Sequence, residues 1–281
     1  MHPHTRAVLA VLVALTAGCG GFGFADIDSS ETETVTPVAV PDDARGAYPP
    51  GVGPTGVTDP AALGWAHANR LENASYTLVV NRTERYRNGT RHSQLRTRVR
   101  LAADRTYLTD VAVRGAGGPV LLGRPPASAT FWSDGDRFLR RLTRDNRTVY
   151  NEYTPPDSYA GTWPYWVRAV ALDGRPSRDV SETVGEFRTE TERRSGDPGV
   201  VVVGDGLRDD RFRGERVTEP ADATLVARVT PDGFVRRYRV TYAARTDDGT
   251  PVRVTRSVRF SAVGNTTVER APWYERAVEG A

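Results

Sequence analysis

The feature that most limits the fold of this chain is a period of two. Leu95, Thr97, Val99 and Leu101 alternate with Arg96, Arg98 and Arg100. Val252, Val254, Val258 and Phe260 alternate with Arg253, Thr255, Ser257 and Arg259. Phe234, Tyr238, Val240 and Tyr242 share a face opposite Val235, Arg237, Arg239 and Thr241. Alternation of this kind cannot line one stripe of a helix, so these segments are half-solvated antiparallel strands. The turn chemistry agrees. Asn88-Gly89, Asp134-Gly135, Asp232-Gly233 and Asp248-Gly249 each lie between strand-like runs and supply the left-handed conformations that hairpins require. The unbroken run Val200–Val203 predicts burial on both faces. In all, about nine strands are expected between residues 74 and 270, and a sheet of that width curls rather than staying flat.

Two segments break the period. Asp59-Pro60 offers a side-chain acceptor at the N-cap followed by a residue that needs no N–H, which predicts a helix over Ala61–Glu72 with Leu63 and Ala66 on its stripe and Ala62 and Trp65 beside it. Trp163, Trp166, Val167 and Val170 fall at i, i+3, i+4 and i+7, with Thr162 before them and Gly174 after, which predicts a second helix. The expected fold class is therefore α+β: a long curved antiparallel sheet, a half-barrel, with helices packed on its concave side.

The N-terminus has a different logic. Arg6 precedes an apolar run from Ala7 to Leu15, too short to span a hydrocarbon layer that needs about 20 helical residues. Leu15-Thr16-Ala17-Gly18-Cys19 follows, and its small residues and single Cys have the form of a lipobox. Residues 1–18 are read as a signal peptide and Cys19 as the lipidation site. Residues 20–47 carry Asp26, Asp28, Glu31, Glu33, Asp42 and Asp43 among Gly, Ser, Thr and Pro, with almost no large apolar side chain. Burial cannot offset the ordering entropy of such a segment, so 19–47 is read as a lipidated, acidic, disordered tether with a reach of about 30 Å. The folded domain is assigned to residues 48–276. The chain is accordingly expected to be exported and held on the outer face of the cell membrane.

Composition excludes several chemistries. All 38 basic residues are Arg, which removes Schiff-base lysines and P-loop phosphate binding. Apart from His2, His4 and Cys19 in the N-terminal segment, only His67 and His92 remain, too few for a His/Cys metal site or a Cys–His pair. No metal and no cofactor are expected. Gly204-Asp205-Gly206 lacks the third Gly and the following helix of a dinucleotide loop. The pairs Asp134/Asp136, Asp209/Asp210 and Asp247/Asp248 read as turn tips rather than acid–base dyads. No catalytic constellation emerges, and the protein is expected not to be an enzyme. The formal charge of +3 is small. The Arg-rich strand faces read as solvated, with no aromatic-interleaved pattern for nucleic acid. Five sequons, at Asn73, Asn81, Asn88, Asn146 and Asn265, are candidate glycosylation sites in an exported chain. Asn88 and Asn146 stand beside expected turns.

Several segments together carry a resemblance: the lipobox, the acidic tether, Tyr48-Pro49-Pro50-Gly51-Val52, Gly56-Val57-Thr58-Asp59 leading into a helix with Leu63, Ala66 and His67, Ala74-Ser75-Tyr76-Thr77-Leu78 opening the first strand, and Arg270-Ala271-Pro272-Trp273 after the last. The chain resembles haloarchaeal lipoproteins of unknown function that carry a Tyr-Pro-Pro-Gly-Val segment before the first helix. An all-Arg, Asp-, Val- and Thr-rich composition suits a GC-rich haloarchaeal genome. That resemblance implies a fold similar to the lipoprotein-carrier half-barrels, LolA and LppX, whose curved sheets hold acyl chains against helices. It makes a lipid or other hydrophobic molecule the expected ligand, with Trp163, Trp166, Phe234, Tyr238 and Phe260 as candidate lining residues. The alternative is a structural or adhesive surface module with no ligand cavity.

Overall fold

In the computed structural model of the chain, the described residues are 47–153, 176–209 and 218–280. They all belong to the compact unit Asp42–Ala281. The signal peptide, Cys19, nearly all of the tether, and the expected helix with Trp163 and Trp166 lie outside them.

The chain opens with a two-stranded ribbon, β1 (Val52–Gly53) and β2 (Gly56–Val57), and a helix α1 (Pro60–Leu71). It then enters one large sheet as β3 (Tyr76–Tyr86), β4 (Arg91–Leu101), β5 (Tyr107–Arg114), β6 (Ala127–Ser133), β7 (Phe138–Arg144) and β8 (Arg147–Glu152). Helix α2 (Pro176–Gly185) precedes β9 (Phe187–Arg193), β10 (Val200–Leu207), β11 (Thr218–Val229), β12 (Val235–Arg245) and β13 (Pro251–Ser261), and a short α3 (Tyr274–Glu279) follows. The sheet has eleven antiparallel strands in the order β8-β7-β6-β5-β4-β3-β13-β12-β11-β10-β9. The chain thus starts at the centre, works out to one edge, reappears at the other and returns, so that β13 zips onto β3.

The α+β class and the long antiparallel sheet match the expectation, but there are eleven strands rather than about nine. The edges explain the difference. β8 (Arg-Thr-Val-Tyr-Asn-Glu) and β9 (Phe-Arg-Thr-Glu-Thr-Glu-Arg) are nearly all polar, so neither shows an apolar alternation. Charged, short edge strands are also what keeps a sheet from pairing with a second copy.

The alternating segments fold as read, with one departure. Val235 is buried, not outward. Val229 faces Val235 while Arg228 faces Arg237, so a bulge at Arg236 inserts one extra residue and turns Val235 back to the inner side. In β10, Gly204-Asp205-Gly206 holds a register shift against β9, with Gly206 at φ +72°. It is a strand irregularity and opens no phosphate loop.

Helix α1 begins where expected, with the Ala62 N–H donating to Asp59 Oδ1 at 3.0 Å. Its buried stripe is Leu63, Gly64, His67 and Leu71, while Trp65 stands 65% exposed. Gly64 is what brings α1 and α2 together: a Cβ there would sit 2.3 Å from the Ser177 carbonyl oxygen. Helix α2 buries Val180, Thr183 and Val184, again at i, i+3, i+4.

The Tyr-Pro-Pro-Gly-Val segment is a clamp. Pro50 and Gly51 (φ +74°) are the central residues of a type II turn closed by the Val52 N–H on the Pro49 carbonyl, 3.0 Å. The Gly51 carbonyl then accepts from the N–H groups of Thr58 and Asp59, fixing the entry to α1. The Val57 N–H donates to Thr189 Oγ1 of β9 at 2.8 Å, tying the ribbon to the sheet edge. Helix α3 packs on the opposite, outward face, where Ala271, Trp273 and Ala277 cover Leu108, Trp132 and Leu139. No helix among the described residues is long and apolar enough to cross a membrane.

Candidate functional site

The inner face of the sheet divides into two halves of different character. Over β9, β12 and β13 it is filled by α1 and α2. The His67 ring of α1 stacks on Phe234 (centroids 5.2 Å, 6° between planes) and meets Phe260 edge-on at 4.9 Å, while Tyr76 reaches Phe260 from β3. The Val235 N–H donates to His67 Nδ1 at 3.2 Å, which makes Nδ1 the acceptor and leaves the proton on Nε2. Burial holds the His67 pKa down at about 3, so the ring is neutral in the fold.

One layer further along, Arg256 of β13 is buried against α2. It donates to Thr183 Oγ1 at 2.7 Å and to the Tyr238 hydroxyl at 3.2 Å, and lies 3.7 Å from Asp179. The Tyr238 hydroxyl donates to Asp179 Oδ2. Burial, reinforced by the Asp179 carboxylate, pushes the Tyr238 hydroxyl far above the usual phenol range, although Arg256 opposes the shift. Phe234, Tyr238 and Phe260, the expected lining residues, lie on the inner face, where their neighbours include helix side chains.

Over β4 to β7 the described residues of the inner face are those of the strands themselves. Register sets Leu95, Val113 and Ala127 in one row, then Thr97, Val111, Ala129 and Leu142, then Val99, Thr109 and Phe131. All are buried. The side chains shrink toward Ala127 and Ala129, and among the described residues the Thr97 and Thr109 hydroxyls have no hydrogen-bond partner. A buried hydroxyl left unpaired costs on the order of 1–3 kcal/mol, so two facing one another's neighbours on an apolar wall are an unusual pair for a solid core. Tyr153, just past β8, closes one side: its ring meets Phe131 and Phe138 edge-on, and its hydroxyl lies 3.1 Å from that of Tyr107. Burial moves the Tyr107 hydroxyl well above its ordinary range.

At the other end of β3 and β4, Glu84 anchors a polar cluster. It accepts from Ser93 Oγ at 2.7 Å, pairs with Arg82, and lies 3.7 Å from His92 Nε2, while His92 Nδ1 lies 2.8 Å from the Tyr86 hydroxyl. The β3–β4 hairpin thus gives His92 two partners, Glu84 and Tyr86. Ser93 turns its proton to Glu84 rather than to His92, which is not the order a nucleophile would need.

The remaining candidates fall at turns. Asp134 Oδ1 accepts from the N–H groups of Asp136 and Arg137. Asp248 accepts from the Thr246 hydroxyl and the Thr250 N–H, and these hydrogen bonds hold its carboxyl at about 2. Among the described residues no cluster of three His, Cys, Asp or Glu could hold a metal. Asn73, Asn88, Asn146 and Asn265 are exposed, the middle two at hairpin tips. At Asn88 the sequon's own Thr90 hydroxyl already donates to Asn88 Oδ1 at 2.7 Å. Asn81 differs: it lies mid-strand in β3, half-buried, holding the Gln94 amide at 3.0 Å.

No protein-family model matches the chain, and no curated protein sequence matches it. Similar solved structures exist. LprF from Mycobacterium bovis is 11% identical, with 78% of this chain and 99% of that one covered and a TM-score of 0.36. A DUF1329 family protein from Desulfovibrio piger is 11% identical, covering 77% and 97%, with a TM-score of 0.27. The Pseudomonas aeruginosa MucA/MucB complex is 14% identical, covering 76% and 62%, with a TM-score of 0.31. Likeness at this level leaves function to be argued from this chain's own residues.

Proposed function

We propose that this protein is an exported, non-enzymatic lipoprotein, anchored on the outer face of the membrane through Cys19, whose half-barrel holds a lipid or other hydrophobic ligand. The observation that carries the reading is the contrast between the two halves of the inner face. One half is filled by α1 and α2, which seat His67 and the Arg256–Tyr238–Asp179 group. The other is an apolar wall over β4 to β7, tapering to Ala127 and Ala129 and bearing the unpartnered hydroxyls of Thr97 and Thr109. Acyl chains suit such a wall, and two lone hydroxyls suit a carbonyl or ester at the chain's head.

This places the ligand against β4 to β7 and gives Phe234, Tyr238 and Phe260 the task of seating the helices. Enlarging Ala129 to Phe should displace the ligand while leaving the helix-covered half intact. Lipid recovered by solvent extraction from the purified chain should fall at least tenfold in the Ala129→Phe variant. Equal recovery from both would place any ligand elsewhere.

A further inference from the structure

The outward face of the sheet has no part in that reading, and over the four central strands its charge is of one sign. The four central strands, β4, β3, β13 and β12, contain a single carboxylate, Glu84, and it is buried on the inner side. Their outward positions carry Arg96, Arg98, Arg237, Arg239, Arg253 and Arg259, all exposed. None of the six is ion-paired with another described residue. Register makes the crowding worse: Arg237 stands directly opposite Arg259 on one side and Arg228 on the other. Neighbouring strands are ~4.8 Å apart, and like charges set directly opposite weaken a sheet. On the neighbouring strand β5, Asp110 stands opposite Arg98 and already accepts from Thr130 Oγ1 at 3.0 Å.

A face that needed only solvation would be as well served by mixed charge. The chain has 35 acidic residues against 38 basic ones, so acids were available and are placed elsewhere. At one end of the sheet, Arg228, Arg236, Arg237 and Arg259 line a depression of about 810 Å³ that also reaches Val200, Phe234 and Phe260 at the strand ends. Asp197 and Asp232 line it too, and Asp232 is taken up by Arg70 at 3.7 Å. Guanidinium groups grip phosphate oxygens in a fork, and apolar side chains beside them suit the glycerol backbone of a lipid.

We propose that this face is a docking surface for the anionic phospholipid headgroups of the membrane that holds the tether. An acidic protein would need carboxylates at fixed spacings to match an even array of arginines. Headgroups diffuse laterally and match any spacing. On the anchored-lipoprotein reading, only residues 20–47 separate the lipidated Cys19 from the domain. The inference rests on the anchored-lipoprotein reading and adds the orientation in which the domain meets its membrane.

The test uses the mature chain, residues 19–281, with Cys19→Ser so that no acyl group contributes. Co-sedimentation is measured with vesicles of phosphatidylcholine and of an equal mixture with phosphatidylglycerol. Binding is expected to the mixed vesicles alone and to weaken as NaCl is raised. Each guanidinium removed from a patch of this kind lowers partition by roughly fivefold, so Arg237→Gln/Arg259→Gln should lose about 25-fold. Arg147→Gln, on the β7–β8 hairpin, should change it little. The double variant relieves a like-charge contact, so its unfolding midpoint should not fall, which separates lost binding from lost fold. Binding indifferent to phosphatidylglycerol, or to the two substitutions, would overturn the proposal. Lipid extracted from the wild-type and double-variant chains reports separately on the inner wall and should be equal.

Discussion

Acidification should weaken this fold through His67 in particular. The ring is enclosed by Phe234 and Phe260, and its Nδ1 already accepts the Val235 N–H, so a second proton would sit in an apolar pocket facing a donor. Its folded-state pKa of about 3 lies below the unfolded value of 6.5. The unfolded chain therefore takes up the proton first. Stability that is complete above pH ~6.5 is lost as pH falls through the window toward ~3. Between pH ~7.5 and ~4 the loss from this one group is on the order of 3 kcal/mol, taking 1.36 kcal/mol per pKa unit. His67→Leu should remove that slope. At pH ~7.5 the variant should be less stable by about 1–3 kcal/mol, because the Val235 N–H is left buried without an acceptor. The two stability curves should then converge and cross near pH ~5. Urea unfolding of both proteins across this range, followed by tryptophan fluorescence, measures the difference directly. Parallel curves would refute the account, since every other titrating group is common to both proteins.

Three further outcomes follow from the packing. Gly64→Ala should lower stability by about 1–2 kcal/mol, although Ala gains up to ~1 kcal/mol in helix propensity, because the new Cβ meets the Ser177 carbonyl at 2.3 Å; a stabilised variant would show that α1 and α2 are not held this closely. Arg259→Glu should raise the unfolding free energy by ~0.2–1 kcal/mol by placing opposite charges across from each other at Arg237; the same substitution should weaken binding to phosphatidylglycerol vesicles. Glycopeptide mass spectrometry of protein from a glycosylating host should find modification at exposed sites such as Asn88 and Asn146 and none at Asn81, whose amide is engaged within β3; a modified Asn81 would mean that transfer precedes folding.

The sheet was legible because Arg and apolar side chains alternate so plainly along β4, β12 and β13. Its two edges were not, because β8 and β9 have no apolar face to display. The seam between α1 and α2 was hidden for a different reason. It is built on Gly64, whose burial depends on a close approach to Ser177, while the conspicuous Trp65 points to solvent. Phe234, Tyr238 and Phe260, expected to line a ligand cavity, lie on the inner face, and which side chain opposes each depends on where α1 and α2 land. Thr97 was visible in its strand, yet its unpaired hydroxyl is a property of the assembled wall. The Arg face shows the limit of summed charge. A balance near zero conceals that the four central strands hold one carboxylate, and only register sets Arg228, Arg237 and Arg259 in a row.

Native mass spectrometry of the purified chain, before and after solvent extraction, tests the central claim most directly. The account predicts a reproducible mass excess that disappears on extraction and resolves to a lipid, with any glycan mass left in place. A bare polypeptide mass after exposure to native membranes would contradict it and leave a structural or adhesive surface module as the better reading.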